Sequence, residues 1–169
     1  MRVTEVVFHE NKVVQLTVEM PDPDRYTTDK SPHLPRRLFR MFPHLEHHEC
    51  DNLKGQSFRQ ESRCTEIPHL LEHLIIELQG QASPHSGLSG ETQWNWKVDP
   101  RGRFHVYVQY ENELLVLAAI RLAEKIINAL DNRELYLLEV GPEIDALCEV
   151  ARLGEKMNPS SSPAPAAVS

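Results

Sequence analysis

Apolar and polar residues alternate most clearly over residues 12–20, where Val14, Leu16, Val18 and Met20 share one face of an extended chain. Residues 1–9 carry the β-branched Val3, Val6 and Val7 beside the aromatic Phe8 and read as a partner strand. The polar His9-Glu10-Asn11 between them predicts a hairpin, which Pro21-Asp22-Pro23-Asp24 ends. A loop follows to about Pro32. Residues 35–42 can make two helical turns, opened by Pro35 and closed by Pro43. Residues 43–64 show no period and read as a long irregular stretch of the kind that often carries function. Over residues 66–80 the period becomes helical, with Ile67, Leu70, Leu71, Leu74, Ile75 and Leu78 on one stripe. Thr65 is the expected N-cap, Pro68 lies in the first turn and Gly80 is the expected stop. A Ser/Gly/Pro-rich loop runs from Gln81 to Gly90. Two strands are expected at about 91–98 and 103–111, joined by the Asp99-Pro100-Arg101-Gly102 turn. A long helix over 113–130 aligns Leu115, Ala119, Leu122, Ala123, Ile126 and Leu130, and a last helix spans about 142–153. The pattern predicts an α+β fold. It is one compact domain over residues 1–156, with two β-hairpins and three to four helices. A disordered Pro/Ser/Ala tail is expected over 157–169.

Composition narrows the function. The chain has 169 residues and a net charge of −7, which disfavours nucleic acid as a partner. No apolar run reaches the roughly 18 residues a membrane helix needs, and no signal peptide is visible, so a cytoplasmic protein with no membrane partner is expected. Three cysteines, Cys50, Cys64 and Cys148, argue against a disulfide framework. Nine histidines are many, and six of them fall between His33 and His73.

The chemistry concentrates in His69-Leu70-Leu71-Glu72-His73, an H-x-x-E-H motif on the best-patterned helix. Imidazoles four residues apart share a helix face and can converge on one zinc ion. Glu72, one residue before the second histidine, is the candidate general base for a water at such an ion. The three residues lie opposite the apolar stripe, and Ile76 among them suggests that this face is also partly covered, as a site wall would be. The bland alternative is a surface helix whose polar face carries two histidines. A third ligand is needed. Glu77 lies too far along the axis and suits a supporting role. Glu111 and Glu113 lie at a strand–helix junction, and Glu113 is preferred as third ligand, although an acid in a first helical turn also answers the helix dipole. His48 and Cys50 form a second candidate set, and a thiolate there would favour a closed, structural zinc site. Cys64 before the helix is a weaker candidate nucleophile. Trp94 and Trp96 are read as core or groove packing, with a substrate platform as the alternative.

The segments Phe42-Pro43-His44-Leu45-Glu46-His47-His48-Glu49-Cys50, Thr65 to Gln79 and Phe104 to Glu113 resemble, in order and spacing, the N-terminal domain of cyanophycin synthetase. The likeness covers about residues 38–130, and the helix ending Glu77-Leu78-Gln79 is its most specific part. The resemblance implies a polymer-binding platform which, in some members, carries a metallopeptidase-like zinc site. Carried over residue by residue, His69 and His73 become zinc ligands, Glu72 the general base and Glu113 the third ligand. The chain ends before the family's ATP-grasp and Mur-ligase-like domains, so a stand-alone version is expected. Pro68 replaces a family glycine, and Ser89-Gly90-Glu91-Thr92-Gln93 replaces an arginine-containing loop, which implies a different substrate or binding mode.

Three functions follow from these residues. The first is a zinc-dependent peptide or amide hydrolase acting on a peptide or peptide-like polymer. The second is a non-catalytic binding module for such a polymer or a protein. The third is a structural zinc domain built on His48, Cys50, His69 and His73. Self-association into a homo-oligomer is left open.

Overall fold

The computed structural model describes residues 1–50, 57–83, 87–134 and 139–157. Strand β1 (Arg2–His9) and strand β2 (Val13–Glu19) form the first hairpin, paired antiparallel from Arg2 opposite Glu19 to His9 opposite Val13. Lys12 turns the corner at φ 60°. Strand β3 (Gly90–Gln93) and strand β4 (Arg103–Gln109) form the second, and β4 also pairs antiparallel with β2. The result is one four-stranded sheet in the order β1-β2-β4-β3.

The alternation read from the sequence decides which face of the sheet is covered. Val14 lies opposite Val108, Leu16 opposite Val106 and Val18 opposite Phe104. All six side chains are fully buried. Such same-face cross-strand pairs are the unit from which sheets gain stability. Helix α3 (Ile67–Ala82) and helix α4 (Glu113–Asp131) pack side by side, with α3 against β3 and β4. Helix α5 (Val140–Met157) packs on both helices. Helix α1 (His33–Met41) leans on α4 and on a 3-10 turn at Pro43–His47, which also receives the short helix α2 (Phe58–Glu61).

The α+β class and the two hairpins are as expected, and among the described residues five α-helices stand where three to four helices were anticipated. The addition is α2, in the stretch read as irregular. Gln60 Oε1 accepts a bond from Ser57 N at 3.2 Å, half of a capping box. Helix α3 continues through Gly80 to Ala82, and its N-cap is Glu66 rather than Thr65. The strand expected over 91–98 stops at Gln93. Asn95 ends it: its carbonyl accepts from Val98 N and Asp99 N, and its side chain accepts from Lys97 N. Trp94 and Trp96 then fold onto Phe104 at centroid distances of 5.8 and 5.6 Å. Among the described residues no helix is long and apolar enough to cross a membrane. Of the tail expected over 157–169, Met157 is the last residue of α5, and residues 158–169 lie outside the described residues.

Candidate metal centre

Helix α3 is anchored at its start, where Ile67 N donates to Tyr26 O at 2.8 Å and Glu66 bridges to Thr27. Its apolar stripe enters the core as the spacing requires. The opposite face is not a solvated surface: Glu72 is 4% exposed, His73 3% and Glu77 7%. Phe58, itself fully buried, stacks on His73 with centroids 3.6 Å apart and a 22° interplanar angle. That stack fixes the plane of the second imidazole.

The structure brings both motif histidines together with a thiol. His69 Nε2 and His73 Nε2 are 3.2 Å apart, and Cys50 Sγ is 3.4 Å from His69 Nε2. One ligand atom from each residue lies within 4.8 Å of the others. These spacings suit one shared ion. Two nitrogens at roughly 2.0–2.1 Å from a tetrahedral zinc stand about 3.3 Å apart, and a sulfur at ~2.3 Å stands about 3.5 Å from either.

The remaining ring nitrogens are occupied in a way that turns Nε2 inward. Thr65 Oγ1 is 2.8 Å from His69 Nδ1, and His48 Nδ1 is 3.2 Å from His73 Nδ1. His48 Nε2 in turn meets Glu77 Oε2 at 3.0 Å, and Gln81 Nε2 donates to Glu77 Oε1 at 2.8 Å. A carboxylate–histidine relay behind a ligand orients it and raises its basicity. Burial outweighs every other influence on the two candidate ligands. It lowers the pKa of His69, and it lowers that of His73 to about 2, with the neighbouring His69 and His48 adding to the effect. Both rings are therefore neutral, the form that binds metal. Burial alone would raise Glu77, but its bonds from His48 and Gln81 hold it below the usual carboxylate value.

Glu72 faces a different neighbour. Thr92 Oγ1 of β3 donates to Glu72 Oε2 at 2.6 Å. Burial raises its pKa to about 7 against that bond, and the negative charges of Glu91 and Glu61 add to the rise. Strand β3 comes close because of Gly90. A Cβ there would stand 2.7 Å from Glu72 Cγ, 2.8 Å from its Oε1 and 2.8 Å from the Tyr107 carbonyl.

His69, Glu72 and His73 line a cleft of about 1660 Å³, together with Cys50, Thr92 and Trp94. Ile76 also lines it, the wall position that the pattern suggested. Glu113 is exposed at the first turn of α4, hydrogen-bonded to Tyr110, and neither it nor Glu111 lines the cleft. The residue the structure places beside the two histidines is Cys50. Cys64 is exposed on the cleft wall, and it is Cys50 that reaches His69.

Sequence reasoning missed four contributors. Thr65 had a recognisable polar position but was assigned to capping. Thr92 and Gly90 lay in a stretch weighed only for what it lacked. Phe58 stood in a segment with no period. A glycine beside a strand is a known mark of close approach, and that was the available signal for Gly90.

Residues 14–132 match the family described as the cyanophycin synthase-like N-terminal domain. No curated protein matches the chain. The matched span runs from β2 to the end of α4 and contains every residue of the centre described above. Because that span is well over half of the chain, the protein belongs to the cyanophycin synthase-like N-terminal domain family.

Proposed function

We propose that this chain is a metal-dependent hydrolase of peptide or amide bonds. Cys50, His69 and His73 would hold a zinc-class ion, and Glu72 would serve as general base. The observation that carries the reading is the Cys50–His69–His73 group with Glu72 on the same helix, opening onto one cleft. A divalent ion in such a site polarises a carbonyl and makes water a better nucleophile near neutral pH. The chain's own part is proton handling and orientation. Glu72 accepts the proton of the attacking water at its carboxylate and returns it to the departing nitrogen. The Thr92 hydroxyl donates to Oε2, so Oε1 is the oxygen assigned to that transfer. Thr65 and the His48–Glu77 pair hold the two imidazoles with Nε2 toward Cys50. With Cys50, His69 and His73 as its protein ligands, a tetrahedral ion would keep one position for water or substrate.

The structural-zinc reading needs His48 as a fourth ligand. His48 instead directs one nitrogen at His73 Nδ1 and the other at Glu77, which favours a supporting role. A non-catalytic binding module finds support in Trp94, 43% exposed on the cleft wall. Metal stoichiometry and peptide hydrolysis measured side by side for wild type, Glu72→Gln and His73→Ala separate these readings. The hydrolase reading expects about one metal per chain in wild type and Glu72→Gln, none in His73→Ala, and turnover in wild type alone. By the magnitude of general-base catalysis, turnover should fall about 10²–10⁴-fold in Glu72→Gln. Full turnover in that variant, or no metal in wild type, would reject the assignment.

A further inference from the structure

A second cleft, of about 760 Å³, lies on the other side of α2 from the metal centre. Among the described residues its charged lining is Arg36, Arg40, Arg59, Arg63 and Glu46, four cations against one anion, on a chain whose net charge is −7. Arg36 and Arg40 are one turn apart on α1. Arg59 stands on α2, and Arg63 follows that helix. All four are exposed. Arg59 pairs with Glu46, while Arg36, Arg40 and Arg63 have no ion-pair partner among the described residues. Like charges gathered without counter-charges repel one another, so such a cluster is most stable when an anion lies among them. The guanidinium fork matches a carboxylate bidentately, which a lysine cluster would not do. Pro35 and Phe39 give the groove an apolar floor along which an extended main chain can lie.

The groove adjoins the metal cleft. Arg63 lines both. Phe39 of the groove floor meets Phe58 edge-on at 5.9 Å, and Phe58 is the ring stacked on His73. Arg63 thus stands on the border between the two clefts, where a chain leaving the metal cleft would meet the arginine groove.

We infer that this groove binds a carboxylate-rich peptide segment, the acidic flank of the chain whose bond lies at the metal centre. As a binding site it needs only the arginines; as a substrate subsite it rests on the hydrolase reading.

The test uses the full chain and a fluorescein-labelled octaglutamate, read by fluorescence anisotropy with and without metal. Octaglutamine and octalysine serve as comparison peptides. Binding of octaglutamate alone is expected, weakened at least tenfold in Arg40→Gln/Arg63→Gln and reduced by raised salt. The charge-matched Arg101→Gln/Arg121→Gln, outside the groove, should stay within about threefold of wild type. Absence of binding in wild type, wild-type affinity in the groove variant, or an equal loss in the control variant would each overturn the site. The subsite claim is read separately on metal-loaded protein. A peptide with glutamates on one flank should be cut at least tenfold faster, in kcat/KM, than its glutamine counterpart, and the groove variant should erase that preference. Equal rates for the two peptides would overturn the subsite. Binding without hydrolysis of any peptide would instead count against the hydrolase reading and leave the groove standing.

Discussion

Replacing Gly90 with alanine tests the packing that positions Glu72. The new Cβ would stand 2.7 Å from Glu72 Cγ, 2.8 Å from Glu72 Oε1 and 2.8 Å from the Tyr107 carbonyl oxygen. Carbon contacts are comfortable at about 3.5–4.0 Å, so every one of these is too short. The carbonyl belongs to β4, whose register with β3 pairs Gly90 with Val108 and Glu91 with Tyr107, and it cannot retreat alone. The Glu72 side chain must therefore yield, and its 2.6 Å bond from Thr92 goes with it. Overpacking of this kind costs about 1–3 kcal/mol. Losing the buried hydrogen bond adds about 1 kcal/mol, which the lower unfolded-chain entropy of alanine offsets in part. The net expectation is a loss of roughly 1–3 kcal/mol, a fall of about 3–10 °C in Tm for a domain of this size. Thermal and urea unfolding measure it. In a Glu72→Ala background, where the Cγ and the carboxyl are gone, the same glycine substitution should cost at least about 1 kcal/mol less. The Cys50–His69–His73 group is untouched, so metal content should stay near one per chain while hydrolysis falls. An unchanged Tm, or an equal cost in both backgrounds, would show that Glu72 does not rest against β3.

Glu72 also makes a pH prediction for metal-free protein. Its folded pKa of about 7 lies above the ordinary 4.5, so the stability it contributes is complete below pH 4.5 and is lost as the pH rises through 7. Urea unfolding of Glu72→Gln should therefore gain on wild type over that window, by up to about 3 kcal/mol, and parallel pH profiles would refute it. His48→Ala should lower metal affinity about 10–100-fold without abolishing binding, as loss of an orienting partner does. Competition against a zinc-binding dye measures this, and complete loss of metal would make His48 a ligand instead. Phe58→Ala should cost about 3–5 kcal/mol in urea unfolding and should also weaken metal binding, because it removes the ring that fixes His73. Metal affinity equal to wild type would detach that stack from the centre.

The sheet core was legible because period-2 alternation in residues 12–20 and 104–110 is the physical cause of the burial it predicts. Val14, Leu16, Val18, Phe104, Val106 and Val108 needed only their spacing to be placed. The long helices were legible for the same reason. The H-x-x-E-H histidines were legible because four residues make about one helical turn, a local fact. Cys50 is nineteen residues from His69 in sequence and reaches it through the 3-10 turn at Pro43–His47, which no periodicity announces. Glu113 was preferred because a junction acid can reach a neighbouring helix, and that argument fixes reach without fixing direction. In the structure the acid is directed at Tyr110. Strand 91–98 was overextended because Trp94 and Trp96 have strong β propensity, and the local bonds of Asn95 override it.

On the proposed hydrolase reading, one helix turns two tasks in two directions. At about 100° per residue, His69 and His73 are nearly superposed along the axis, while Glu72 is turned roughly a quarter of the circumference away from His73. The histidines consequently meet Cys50, Thr65 and His48, and Glu72 meets Gly90 and Thr92 of the sheet edge. The two sides have opposite electrostatic characters. Burial beside other imidazoles keeps the histidine side free of protons, whereas burial beside Glu91 and Glu61 lets the carboxyl hold one near neutrality. A group that must accept and then release a proton is best placed where its affinity is near the working pH. The cover over this face performs both jobs. Phe58 orients His73, and the approach of β3 at Gly90 confines Glu72, so the packing that buries the polar side of α3 is also what gives the centre its geometry.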